Sequence, residues 1–288
     1  MKGIALHSVI PVRVSPAEEA EQETQMIFAQ TCEIIEATGD KQLATGKWTH
    51  IRIDDDGEEG YVDTKMLTIL SDQEWEEIKE QTSTMQGARV RMPMAYAVSE
   101  NNGQTIPLTA GTRLPNYKDG EFSLLGVKFR IDPQMVQEKP MPMTEENILN
   151  TVRFFINTPY LWGGKNALGI DCSGFSQTIY SLFGIRLPRM ARQQILGQMN
   201  KEQGQGIKEI ALEDAQCGDL AFFNHANERS ASAGEKTYPI IHVGILLDKE
   251  RIIHASGRVK VEKIDEHGIY SAELGRYTHH LAAIKRYV

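Results

Sequence analysis

Cys172 stands between Asp171 and Ser173, just after the glycine-rich approach Tyr160-Leu161-Trp162-Gly163-Gly164 and just before a helix-like stretch from Phe175 to Phe183. That is where a nucleophile is wanted. At the first turn of a helix the unpaired backbone N–H groups and the positive end of the dipole favour an anion. The placement therefore predicts a thiolate with a pKa below its free value of about 8.5. Asp171 is the expected N-cap. A thiolate does not complete a hydrolase, because the leaving amine must be protonated by an oriented imidazole. His242 lies in Ile240-Ile241-His242-Val243-Gly244-Ile245-Leu246-Leu247 and His254 in Arg251-Ile252-Ile253-His254-Ala255-Ser256-Gly257, both short β-like runs. The polar Asp248-Lys249-Glu250 between them reads as a turn, so a hairpin would bring the two histidines together.

The elements around these residues set the architecture. Thr144-Glu145-Glu146 opens an apolar run with a cap and an acidic first turn, so a helix should begin the C-terminal half. Before it, residues 133–142 hold three prolines and read as a linker. The first 140 residues read as short strands separated by turns. Ser8 to Val14, Thr31 to Glu36, Trp48 to Ile53 and Gly60 to Val62 supply one set, with Gly39-Asp40 and Asp54 to Gly57 between them. Arg89 to Met92, Ala95 to Ser99, Thr105 to Leu108, Thr112 to Pro115 and Glu121 to Arg130 supply another. Ser71 opens a short helix to Gln81 between the sets. The expected organisation is a small all-β barrel at 1–70, a helical connector at 71–84, a second barrel at 85–132, the linker at 133–142, and an α+β catalytic domain at 143–288.

Four stretches of the C-terminal half carry a family resemblance. Thr158-Pro159-Tyr160-Leu161-Trp162-Gly163-Gly164, Asp171-Cys172-Ser173-Gly174-Phe175, Gly218-Asp219-Leu220-Ala221-Phe222-Phe223 and the two histidine strands occur in one order, with Leu187-Pro188-Arg189 and Ala191-Arg192-Gln193-Gln194 as a further match. The segment resembles the NlpC-type cysteine peptidases of bacterial cell-wall metabolism, a papain-like family. That resemblance implies Cys172 as nucleophile, His242 as general base and acid, His254 as the group orienting His242, and Tyr160 beside the nucleophile. The run Trp48-x-x-Ile51-Arg52-Ile53 with Gly60-Tyr61-Val62 looks like the bacterial SH3-like domain that often precedes such a peptidase.

Members with two SH3-like domains resemble γ-D-glutamyl-L-diamino acid dipeptidyl peptidases. The resemblance then implies hydrolysis of the γ-D-glutamyl bond to diaminopimelate or lysine in murein peptides with a free N-terminal L-Ala. It implies that Glu21, Tyr61 and Asp171 meet the substrate ammonium and that Ser173 contacts D-Glu. The alternative readings of the same chain are an endopeptidase on intact peptidoglycan with wall-binding barrels, a non-enzymatic wall-binding scaffold, and an acyltransferase.

Composition narrows the partners. Residues 1–142 hold 14 Lys+Arg against 23 Asp+Glu, and residues 143–288 hold 17 against 16. The acidic half opposes nucleic-acid binding, which calls for a basic footprint. No apolar run reaches 18 residues, so no transmembrane helix is expected. Cys32 and Cys217 read as packing residues, and three cysteines give no disulfide framework, which suits a cytoplasmic enzyme or an exported one whose signal has been removed. No metal-ligand spacing and no cofactor motif is present. The polar loop from Asn224 to Pro239 is a candidate lid.

Overall fold

A computed structural model describes residues 1–37, 47–197, 206–224 and 239–287. Seven strands form the first sheet: β1 (Lys2–Ala5), β2 (Val9–Arg13), β3 (Gln22–Ile27), β4 (Thr31–Ala37), β5 (Trp48–Ile53), β6 (Glu59–Asp63) and β7 (Leu67–Leu70), in the order β3-β2-β6-β5-β4-β1-β7. Its core is Ala5, Ile10, Val12, Met26, Cys32, Ile34, Ile51, Ile53, Val62 and Leu67, the inward-facing alternate residues of half-buried strands. Cys32 is buried there, as a packing residue should be. The Gly39-Asp40 turn lies outside the described residues.

Helix α1 (Asp72–Ser83) follows, with a capping box between Ser71 and Glu74. A second group comprises β8 (Arg89–Val90), β9 (Met94–Ser99), β10 (Thr105–Thr109), β11 (Glu121–Leu124), β12 (Val127–Ile131) and β13 (Val136–Gln137). Four of these pair as β10-β9-β12-β11, and β13 pairs with β8. The run Glu121 to Arg130 is thus two strands, turned at Leu125 and Gly126, both with positive φ. Thr112 to Pro115 makes only a bridge at Arg113 to Arg89. The start of the expected linker belongs to this group, since β13 closes against β8. One apolar cluster joins Ile4, Phe28 and Leu70 of the first sheet to Ile78 of α1 and to Val90, Phe122 and Ile131 of the second group. The two all-β units therefore share a core through Phe28, whose ring meets Phe122 edge-on at 6.2 Å.

The C-terminal half contains α2 (Glu145–Val152), β14 (Lys165–Asn166), β15 (Gly169–Ile170), α3 (Cys172–Leu182), α4 (Ala191–Gln194), β16 (Ile207–Ile210), β17 (Leu220–Asn224), β18 (His242–Leu246), β19 (Arg251–Ser256), β20 (Arg258–Asp265), β21 (Gly268–Ser271) and β22 (Arg276–Tyr287). The large sheet runs β16-β22-β17-β18-β19-β20-β21, and β22 also pairs with β21, closing six strands into a ring. Strand alternation divides the apolar residues between two cores. Leu220, Phe222, Val243, Ile245, Ile253, Ala255 and Val259 pack with Phe175 and Ile179 of α3. Ala221, Phe223, Leu246, Ile252, Ile264 and Ile269 form the other cluster, inside the ring. By the same period of two, His242, His254 and Glu262 belong to the inner face. Gly244 keeps that face open, because a Cβ there would meet Ile252 Cδ1 at 2.6 Å and His254 Cβ at 2.9 Å.

Candidate active site

Asp171 caps α3 by accepting the Gly174 N–H through Oδ1 at 2.7 Å, and its Oδ2 accepts the Gly163 N–H at 2.9 Å. Cys172 is the first residue of the helix. The turn before it is tight enough to require glycine at several places. A Cβ on Gly174 would collide with the Gly164 carbonyl, and Gly163 has φ +73°, with the Gln22 carbonyl 2.6 Å from where its Cβ would be. Gln22 belongs to β3, so the glycine turn is also where the first sheet docks.

That docking is polar and specific. Gln22 donates to the Trp162 carbonyl at 2.9 Å, and Gln25 Oε1 accepts from the Lys165 N–H and from Asn166, each at 2.9 Å. Arg189 completes it. Its guanidinium is fully buried and holds Asp171 through both carboxylate oxygens, Nη1 to Oδ1 at 3.0 Å and Nη2 to Oδ2 at 2.5 Å. The same group donates from Nη1 to Ser173 Oγ at 2.9 Å and from Nε to Thr24 Oγ1 of β3 at 2.7 Å. One side chain thus ties the helix cap to the first sheet. Burial opposes its charge, but Asp171 outweighs that and raises the Arg189 pKa.

Across the cleft, His242 Nε2 lies 2.8 Å from His254 Nδ1, and His254 Nε2 lies 2.9 Å from Glu262 Oε2. Burial would raise the Glu262 carboxyl, but the hydrogen bond from His254 and the charge of Lys260 hold it down at about 2. An ionised Glu262 accepts the His254 Nε2–H; His254 Nδ1 then accepts from His242 Nε2–H, which leaves His242 Nδ1 as the basic nitrogen. His279 stacks on His242 with ring centroids 4.2 Å apart. Burial, then His279 and His254, push the His242 pKa well below the ordinary imidazole value.

The thiol does not follow the sequence expectation. Burial, then the charge of Asp171, push Cys172 up to about 12, against lowering by the Val243 and Ser173 N–H groups and by Arg189. Desolvation exceeds the pull of the helix end. Both shifts favour the uncharged thiol and imidazole over the ion pair.

The cleft has a volume of about 420 Å³, is open to solvent, and is lined by Cys172, Ser173, Tyr160, Asp171, Glu23 and Arg192, among others. Burial and the neighbouring Cys172 and Asp171 raise the Tyr160 pKa, so its phenol stays a donor. Among the expected substrate residues, Tyr160, Asp171 and Ser173 are here and Glu21 and Tyr61 are not. Glu21 is exposed at the turn before β3, where its carbonyl accepts from Val14. Tyr61 is stacked on His50 at 4.7 Å on the first sheet. Glu23 takes the place in the lining, and it does so as the extra residue of a β-bulge: Val12 pairs with Thr24 and Arg13 with Gln22. A bulge re-aims a side chain in a way no alternation pattern reveals. Asp171 carries a burden that its expected ammonium role did not include, since Arg189 already occupies both its oxygens. Glu262 and Arg189 went unassigned in the sequence reading, although Arg189 stands in the Leu187-Pro188-Arg189 motif. Residues 225–238, most of the proposed lid, lie outside the described residues. Among the described residues there is no metal-ligand cluster, and no helix is long and apolar enough to cross a membrane.

Residues 157–276 match the model of the NlpC/P60 family. The chain is 29% identical over 177 residues to a gamma-D-glutamyl-L-lysine dipeptidyl-peptidase of Bacillus subtilis, covering 60% of this chain and 54% of that protein. It is 36% identical over 133 residues to dipeptidyl-peptidase 6 of Lysinibacillus sphaericus, covering 45% and 40%. The chain thus spans about half the length of these curated relatives. A solved NlpC/P60 family protein from Bacillus cereus superimposes over 100% of this chain and 99% of its own, with a TM-score of 0.75 at 20% identity, a likeness of fold. The segment of this chain that holds Cys172 and the paired histidines is thus the part that matches the NlpC/P60 family model, and the chain shares the fold of a solved protein of that family.

Proposed function

We propose that this protein is a cysteine peptidase that cleaves the γ-D-glutamyl bond to an L-diamino acid in cell-wall peptides with a free N-terminal L-Ala, releasing L-Ala-D-Glu. The observation that carries the reading is Glu23, a carboxylate of the first sheet placed in the same cleft as Cys172. An ammonium that loses its hydration needs such a partner. An N-terminus joined to glycan would offer an amide instead, and the site would reject it. The first all-β unit acts in this reading as an SH3-like module that walls one end of the cleft. Arg192, in the same lining, supplies a cation for the free α-carboxylate of γ-linked D-Glu. The names of the two curated relatives support the same substrate class.

The chemistry follows from the residues described. Cys172 Sγ attacks the γ-carbonyl carbon while His242 Nδ1 takes the thiol proton, and the oxyanion is met by the Cys172 N–H at the helix start with Tyr160 alongside. His242 passes the proton to the leaving α-amine as the C–N bond breaks, leaving a thioester. Water, deprotonated by His242, hydrolyses it and restores the thiol. Mass spectrometry of products from L-Ala-γ-D-Glu-L-lysine, its diaminopimelate counterpart and their N-acetylated forms tests the reading. Cleavage of the free peptides alone is expected; equal cleavage of both forms would refute the free-amine requirement, and full activity of Cys172→Ala would refute the mechanism.

A further inference from the structure

A cavity separate from the cleft lies where the three parts of the chain meet. Its volume is about 50 Å³, and it is lined by Asp55 of the first sheet's turns, Arg89 and Arg113 of the second group, and Lys165, Gln177 and Arg186 of the C-terminal half, among others. Four cations face it and one carboxylate.

The ion pairs leave a remainder. Arg113 is matched by Asp55, Nη1 to Oδ2 and Nη2 to Oδ1 each at 2.7 Å. Lys165 is matched by Asp56 at 3.6 Å. Arg89 and Arg186 make no ion pair among the described residues, although Asp55 acts on both through space. Arg89 is 2% exposed and donates only to the Gly111 and Thr84 carbonyls and the Met85 sulfur, while Arg186 donates to the Ser83 carbonyl. The Nε atoms of both are buried without a partner. Burial, then the charge of Arg113, push the Arg89 pKa down to about 9, the mark of a cation short of a counter-charge. A buried unpaired charge costs several kcal/mol as an order of magnitude, and two unsatisfied guanidinium N–H groups add to that cost.

We infer that this junction cavity is an anion site built for a phosphate-sized dianion held by Arg89 and Arg186. Two unmatched positive charges call for two negative ones, and guanidinium N–H groups fit tetrahedral oxyanions. The bound anion would contact elements of all three parts at once. Gln177, Thr178 and Ser181 of α3 line the cavity, and Cys172 begins the same helix, so occupancy braces the nucleophile's helix against both all-β units. This inference is independent of which peptide is cleaved.

Thermal unfolding of the full chain in inorganic phosphate, set against sodium chloride at equal ionic strength near pH 7.5, tests it. A saturable rise of several degrees in Tm is expected, as ligand linkage requires, with one anion per chain by calorimetry. Arg89→Met and Arg186→Met should each abolish the saturable rise, and Arg130→Met, at an exposed guanidinium paired with Glu100, should keep it. Should Arg89→Met fail to fold, Arg186→Met, at a partly exposed residue, carries the test alone. A rise that never saturates, or that persists in Arg186→Met, is the general salting effect of phosphate and would overturn the proposal, as would no rise beyond chloride.

Discussion

The Nε2 atom of His242 and the Nδ1 atom of His254 stand 2.8 Å apart, close enough that one proton serves both rings, and Glu262 decides on which side it lies. His254 is therefore a positioning residue twice over, setting both the orientation of His242 and its tautomer.

Glu262→Gln should lower kcat roughly 10–100-fold with little change in KM, because an amide no longer dictates which ring nitrogens carry hydrogen; second-shell partners of functional histidines have effects of this order. Acid stability supplies an independent readout. The folded Glu262 carboxyl is held at about 2, below its ordinary value of 4.5. Its contribution is thus fully present above about 4.5 and is lost as pH falls through about 2. Urea midpoints between pH 5 and pH 2 should fall less steeply in the glutamine variant.

The acid limb of kcat/KM should lie below pH 6.5. A depressed His242 pKa keeps Nδ1 basic into mildly acidic solution, and the limb reports the free enzyme's base. His279 contributes to that depression through its stacked position, so His279→Phe should move the limb to higher pH. An unmoved limb would mean that burial alone sets it.

Arg189→Met should destabilise the protein by about 3–5 kcal/mol, the usual result of removing one partner of a buried ion pair. The carboxylate of Asp171 would remain capped by two backbone N–H groups but would lose its counter-charge, and Thr24 would lose its donor. Denaturant unfolding measures this directly. Arg189→Lys should recover only part of the loss, since a single ammonium does not span both Asp171 oxygens and Thr24.

Glu23→Gln should reduce kcat/KM for free-amine peptides roughly 10–100-fold, the worth of a hydrogen bond between charged groups, chiefly through KM. Glu21→Gln should leave the rates within about twofold, in keeping with an exposed residue away from the lining. Steady-state kinetics on both variants separates the two carboxylates.

The helix start at Cys172 and the two histidine strands were legible because each sits in a run that signals its own structure. Asp171 caps, Phe175 to Phe183 is apolar at helical spacing, and the histidine strands alternate around a polar turn. Capping box and helix at Ser71, and the cap at Thr144, were legible for the same local reason. What escaped depends on distant partners. Arg189 bridges Asp171 and Thr24, 165 residues from its own position in the latter case, and nothing beside it in sequence hints at either. Glu262 stands in Val259-Lys260-Val261-Glu262-Lys263, an alternating strand in which a charged residue reads as solvent-facing until ring closure turns it inward. The depressed thiol pKa failed because a helix end was visible in sequence and the depth of burial was not.

The bulge in β3 has one more consequence. Because the cleft carboxylate is the surplus residue of a strand pair, deleting a single neighbouring residue would restore even pairing and turn the side chain away without altering its chemistry. The selectivity proposed for this cleft is then encoded in the length of a strand as much as in the identity of a residue. Insertions and deletions in β3, rather than point substitutions alone, are the changes by which a scaffold of this kind would gain or lose its grip on a peptide's first residue.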